Sequence, residues 1–509
     1  MATLRIDGKS LSIADVVDVA RRDVAVALDR GAEERVRAAA KVVAELADGD
    51  EAIYGVNTGF GDLAQVRIER GDLARLQLNL LRSHAAGVGD PLPRDVTRAI
   101  LLLRANTLAA GRSGVRPETI DLLLDLLNRG VHPVIPMHGS VGASGDLAPL
   151  AHAALVLVGE GDAMFEDKRM GGADALKRAG LKPVVLGPKE ALALINGTQV
   201  MTAIGCLALH DAEGLATTAD IVGALSAEAL RATDAAWDEA LQDARPHAGQ
   251  RAVAANLRRL VHGSAIIASH RIGDPRIQDP YSIRCMPQVH GASRDALAYT
   301  RGVLEVEINS VTDNPLVFAE QKRIVSGGNF HGQPVAIALD VATIAVAELA
   351  DISESRIDRL TNGHTSGLPP FLTNDAGMNS GFMVAQYTAA ALVAENRMRS
   401  LPASVESITT SADMEDHVSM GVHAAHKLAA VVTNTRNVLA IEALCAAQGL
   451  DLLGMTSAPG VEAGRRVIRE HVPTLTADRT LAPDISTMCD VIARDLLPTA
   501  VRHAAGEVD

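Results

Sequence analysis

The stretch "GSVGASGDLAPL", Gly139 to Leu150, places Ala143, Ser144 and Gly145 side by side ahead of an aspartate. Three of the smallest residues in a row let one backbone group approach another. Because Gly145 has no Cβ, its amide nitrogen can reach the carbonyl carbon of Ala143, and glycine tolerates the strained dihedrals this needs. Ring closure with loss of water gives an imidazolone. Elimination of the Ser144 hydroxyl then leaves an exocyclic methylene, a conjugated electrophile made from the chain alone. The same residues also suit a small-residue turn before a helix starting near Asp146, with that aspartate as its cap. Taken alone, the tripeptide favours the turn.

Other chemistries find less support. "GASGD" fails the GxSxG pattern of a hydrolase elbow, because Asp146 stands where the last glycine is needed. No Walker loop and no HExxH occur. "HAAHK" puts His423 and His426 at metal spacing, but no carboxylate or cysteine stands beside them at ligand spacing, so they read as packing or surface histidines. "GVNTGFG" lacks the strand–helix context of a dinucleotide site.

The elements that must hold these loops are helices. Leu207–Leu241, Val335–Leu360, Met383–Arg399 and Met420–Gln448 carry apolar residues at spacings of three and four. They exceed the average helix of about 11–12 residues, which predicts a bundle of long helices. Aromatic residues make up only 2% of the chain, so Ala, Leu and Val must fill the core, a composition suited to close helix packing. At 509 residues the chain is too long for one core. The predicted division is a head domain over 1–111, with a strand-like opening and the "YGVNTGFGDLA" loop, and an elongated helical domain over 112–509.

A net charge of −14 argues against a nucleic-acid groove. The four cysteines form no CxxC pair, which points to reduced thiols and a cytoplasmic protein. The N-terminus carries charges where a signal peptide would be apolar, and with no run of about 18 uncharged apolar residues no membrane span is expected.

"GSVGASGDLAPLAH" resembles the active-site signature of the histidine and aromatic amino acid ammonia-lyase family. "YGVNTGFGDLA", "NLLRSHAAGVG", "LALINGTQ", "QDPYSIRCMPQ", "EINSVTDNPLVF", "SGGNFHG", "GMNSGFM" and "EDHVSMG" follow in that family's order along nearly the whole chain. The resemblance implies a mainly α, fumarase/aspartase-like architecture. It implies that Ala143-Ser144-Gly145 becomes 4-methylidene-imidazol-5-one, with no metal, NAD or PLP. It also implies a homotetramer with shared active sites and an amino acid substrate.

By the same resemblance, Tyr54 is the base that removes the β-proton. An unperturbed tyrosine has a pKa of about 10, so the role needs a site that stabilises phenolate or a concerted transfer. Arg284 matches the clamp on the substrate carboxylate, which a guanidinium grips through two parallel bonds. Asn196, Gln278, Tyr281 and Phe330 match residues placed around the electrophile, where amide donors would stabilise an enolate.

Ser83-His84, Met383 and Glu415 match the side-chain pocket of histidine lyases, and a carboxylate beside an imidazole can accept N–H and favour the cationic ring. Three stretches depart from that pattern, one being Met137-His138, where a basic residue commonly precedes the Gly-Ser. "NFHGQP" stands where histidine lyases usually read "NFHAEP", and "SADMEDH" where they read "SANQEDH". "NFHGQP" is closer to tyrosine lyases and aminomutases. The resemblance therefore implies elimination of ammonia from L-histidine to trans-urocanate. Its rivals are a tyrosine or phenylalanine lyase, an aminomutase, and, from another class, a helical scaffold that never cyclises.

Overall fold

A computed structural model of the chain describes residues 3–49, 53, 55–59 and 68–508. Tyr54 lies outside them. Helices dominate, and the longest strands among the described residues have 4 residues. Near the N-terminus, Leu4–Ile6 pairs in parallel with Val26–Leu28. The helix Ile13–Arg22 between them starts at a reciprocal cap. There Ser12 Oγ accepts from the Asp15 amide at 3.1 Å, and Asp15 Oδ2 accepts from the Ser12 amide at 2.9 Å.

The long helices follow the apolar periodicity closely. Gln333–Thr361, Met383–Arg399 and Gly421–Leu453 form where the spacing predicts them. The stretch predicted over Leu207–Leu241 is instead the helix Gln199–Ala229. It starts earlier because Asp146 caps its N-terminus from elsewhere in the chain. It ends earlier because Arg231 takes a left-handed φ of 52°. A separate short helix, Glu239–Asp243, is capped by Asp238. Met286–Glu307 is also helical although Gly, Ser and Pro dilute its pattern. Gly291 within it lies so close to Gly249 and Gln250 that a Cβ would collide with their backbone.

Contacts divide the chain into two compact units, Met1–His210 with Arg301–Asp340 and Pro402–His426, and Asp211–Thr300 with Val341–Leu401 and Lys427–Asp509. The sequence-based boundary at 111 falls inside the first unit. Most unit boundaries fall within helices, so no linker composition marks them.

With few aromatic rings, the second unit closes its core around buried charge. Glu442 accepts from Arg356 at 2.5 and 2.9 Å and from Ser226 and Ser353 at 2.6 Å each. Asp220 accepts from His290 and Arg294 at 2.7 Å each and from Asn256 at 2.9 Å. Such carboxylates are tolerated in a core because each oxygen is satisfied. Gly421–Leu453 is long and apolar enough to cross a membrane, yet 67% of its most apolar window is buried inside the protein, as in a core helix.

Candidate active site

The 143–145 turn lies in the first unit, held from two sides. Gly145 has φ +76° and pairs with Gly197, and the Asp146 amide donates to the Gly197 carbonyl at 2.7 Å. A Cβ at 145 would collide with the Gly197 backbone. On the other side, Met420 N donates to Val141 O at 2.9 Å, and Ser419 Oγ donates to Gly142 O at 3.1 Å. Small residues are therefore required by close backbone approach as well as by conformation.

Asp146 makes no side-chain cap bond to its own helix, Leu147–Leu157. Its Oδ2 instead accepts from the Val200 and Met201 amides at 2.8 and 3.0 Å, and Ser140 Oγ donates to Oδ1 at 3.1 Å. This places a carboxylate at the N-terminus of Gln199–Ala229, where helix dipole and free amides favour it. Complete burial outweighs those bonds and pushes the Asp146 carboxyl up from 3.8 to about 7. The native state thus keeps a proton that the unfolded chain releases near pH 4. Stability should then fall as pH rises towards 7, by at most ~1.4 kcal/mol per pH unit for one proton. Asp146→Asn is expected to flatten this slope, and urea midpoints at pH 5, 6, 7 and 8 for the two proteins test it.

Asn196 follows the short helix Glu190–Ile195 and occupies its C-cap position. Its Nδ2 donates to Ser144 O at 3.0 Å. In a ring closed over 143–145, that oxygen is the ring carbonyl, so the amide already addresses the atom where negative charge would collect. The residues present therefore fit the imidazolone chemistry. Glu415 faces the same turn: Oε1 accepts from Ser144 Oγ at 2.7 Å and Oε2 from Thr410 Oγ1 at 2.8 Å.

His84 is the last residue of Leu73–His84. Its Nδ1 lies 2.9 Å from the Leu80 carbonyl, which can only accept, so Nδ1 carries the proton and Nε2 presents a lone pair. Burial lowers the His84 pKa, with the Glu415 charge opposing that shift, which keeps the ring neutral at pH 7.

Phe330 is half-buried, and the residue after it ties two loops together. The His331 ring stacks on His417 with centroids 5.8 Å apart and an interplanar angle of 4°, and His331 Nε2 lies 3.1 Å from His417 O. Gln333 Nε2 donates to Ser404 O at 3.1 Å, and a Cβ at Gly332 would collide with the Met201 sulfur. The "GQ" pair thus makes local contacts of its own.

Gln278, Tyr281, Arg284 and Met383 belong to the second unit. Tyr281 and Arg284 share one helical turn, with the guanidinium 4.6 Å from the ring centroid. Tyr281 is 70% exposed, Gln278 is exposed and Met383 is half-buried. Arg284 Nε is buried without a hydrogen-bond partner. His426 Nε2 lies 3.1 Å from the Met137 carbonyl, a hydrogen-bonding use for one histidine of "HAAHK". Among the described residues, no group of three or more His, Cys, Asp or Glu could hold a metal ion. Sequence reasoning missed Thr410 and Arg104. The signal for Arg104 is one arginine inside the apolar run "AILLLRANTLAAG".

The profile described as "Aromatic amino acid lyase" matches residues 11–470. The histidine ammonia-lyase of Stigmatella aurantiaca is 55% identical over 502 residues, covering 98% of each chain. Among solved structures, the histidine ammonia-lyase from Trypanosoma cruzi superposes with a TM-score of 0.92 at 41% identity, covering 99% of this chain and 96% of that one. The tyrosine aminomutase from Streptomyces globisporus superposes with a TM-score of 0.94 at 39% identity, covering 100% of both. Fold, site and relatives together define a carbon–nitrogen lyase of the ammonia-lyase type. The profile spans most of the chain, well beyond the signature turn. The chain belongs to the aromatic amino acid lyase family.

Proposed function

We propose that this chain is a histidine ammonia-lyase, converting L-histidine to trans-urocanate and ammonia at a 4-methylidene-imidazol-5-one formed from Ala143-Ser144-Gly145. The observation that carries the choice of histidine is a pair of acceptors, the Glu415 carboxylate and His84 Nε2. An imidazolium offers two N–H donors to such a pair. A phenyl ring would leave the carboxylate desolvated and unpartnered. The curated relatives at 50–55% identity named histidine ammonia-lyase support the same reading.

The mature ring supplies an electron sink for the substrate amine. Asn196 Nδ2 holds the Ser144 carbonyl oxygen and stabilises charge there. Dehydration of Ser144 removes the hydroxyl that occupies Glu415 Oε1, freeing that oxygen for the imidazole while Thr410 still holds Oε2. Arg284 grips the substrate carboxylate, and Tyr54 takes the β-proton. The family resemblance gives Gln278, Tyr281 and Phe330 places around the electrophile and Met383 a place in the side-chain pocket. The family resemblance also supports a homotetramer with shared active sites. A cytoplasmic protein fits its free cysteines.

Two measurements test this reading. The intact mass should fall short of the encoded mass by two waters. Incubation with histidine, tyrosine and phenylalanine should give acrylate absorption with histidine alone. Tyrosine turnover without histidine turnover would overturn the substrate, and a β-amino acid on chromatography would show an aminomutase instead. Glu415→Gln removes the charged acceptor, a bond of about 1.5–3 kcal/mol. Its kcat/KM for histidine is expected to fall about 10- to 100-fold, while any tyrosine turnover does not fall. Initial rates with both substrates check it.

A further inference from the structure

Arg104 is 2% exposed, in the middle of the buried helix Arg94–Ala109. Its Nη1 donates to the Asn196 carbonyl at 2.9 Å and to Gln199 Oε1 at 2.7 Å. Its Nε and Nη2 are buried without hydrogen-bond partners. Among the described residues, no carboxylate bonds to it directly. Asp313, one of the two carboxylates whose charge reaches it, is taken by Lys189 at 2.8 Å. The other, Asp146, is taken by the Val200 and Met201 amides. Burial pulls the Arg104 pKa down to about 10, which leaves it cationic at neutral pH. A buried cation with two unused donors is costly, so packing alone does not account for it.

Its bonds converge on the turn 196–199. Gln199 is itself fixed, since its Nε2 donates to Thr107 Oγ1 at 3.0 Å and to Thr312 Oγ1 at 2.7 Å. Gly197 packs so tightly that a Cβ would collide with Arg104 Nη1. This one turn carries both the amide that donates to Ser144 O and the glycine against which Gly145 lies.

We propose that Arg104 is a positioning residue for the elimination. It braces the turn 196–199 so that Asn196 Nδ2 meets the ring carbonyl oxygen, and it places a fixed positive charge behind that donor. The proposal rests on the reading of 143–145 as the electrophile. It acts through Asn196, so the two residues should not behave independently.

The test compares full-length wild type, R104Q, N196A and R104Q/N196A on histidine, with turnover expressed per mature site from intact mass. N196A removes an oxyanion donor, and its kcat is expected to fall about 10²- to 10³-fold. R104Q is expected to lose about 10- to 100-fold in kcat with KM within about threefold, since only the transition state gains from the aimed donor. The double variant should lose no more than N196A alone. R104K keeps the charge but cannot span both acceptors, so it should fall between wild type and R104Q, and it serves where R104Q does not fold. Losses that multiply, or wild-type kcat in either arginine variant, overturn the proposal. A wild-type mass equal to the encoded one sinks the electrophile reading and this proposal with it, before any variant is compared.

Discussion

Ser144→Ala is expected to give a folded protein that releases no measurable ammonia from histidine. The side chain is half-buried, and its hydroxyl bonds to Glu415 Oε1 at 2.7 Å. Losing one bond to a charged acceptor costs about 1.5–3 kcal/mol, too little to unfold a chain of this size. The chemical loss is of another order. Ring closure takes the carbonyl oxygen of Ala143 with the amide hydrogens of Ser144 and Gly145, and needs no serine hydroxyl. The second water takes the Ser144 hydroxyl with its Cα hydrogen, and alanine has no hydroxyl to give. The variant should therefore lose at most one water, with no methylene to receive the amine. Removing the reacting group of a covalent catalyst lowers kcat on the order of 10⁴-fold or more. Intact mass, thermal melting and urocanate absorbance together check the result. Substantial urocanate formation by the alanine variant would leave the electrophile with no role.

The tripeptide proposed to react was legible through the family resemblance, and its supports were not. Three small residues before an aspartate suit close backbone approach, but alone they fit a turn equally, and it took the motifs along the rest of the chain to favour the ring. The role of that aspartate is not legible. As a local signal Asp146 reads as the cap of its own helix, whereas its carboxylate caps Gln199–Ala229, a pairing only the fold creates. The same tertiary cap explains why that helix begins before the apolar periodicity becomes clear. His84 and Glu415 are legible through the resemblance, which assigns both to the side-chain pocket. The protonated nitrogen of His84 depends on the Leu80 carbonyl, which follows once helix Leu73–His84 is in place. Arg104 hid in an apolar run because its reason for being there is a turn far along the chain. The contacts of Gly332-Gln333 were not legible either: Gln333 bonds to Ser404 O, and Gly332 lies against the Met201 sulfur.

Gly145→Ala is expected to block ring formation at its first step and to leave the encoded mass unchanged. Two effects add. Gly145 has φ +76°, a region that costs an L-residue with a Cβ about 1–2 kcal/mol. The added methyl would also meet the oxygen, carbon and nitrogen of Gly197, which are backbone atoms with no rotamer to change. Relief requires Gly145 and Gly197 to part, and that disturbs the Asp146 amide bond to Gly197 O at 2.7 Å. The amide nitrogen of residue 145 is the ring-closing nucleophile, so any shift moves the reacting atom away from Ala143. Misplacement of a reacting group by about 1 Å costs on the order of 10²-fold in rate, and each chain must complete ring closure once before its first turnover. The two substitutions thus part by mass. The alanine at 144 still permits one dehydration, whereas the alanine at 145 permits none. A Gly145→Ala protein lighter by two waters, or active on histidine, would show that close contact with Gly197 is not what holds the tripeptide in its closing geometry.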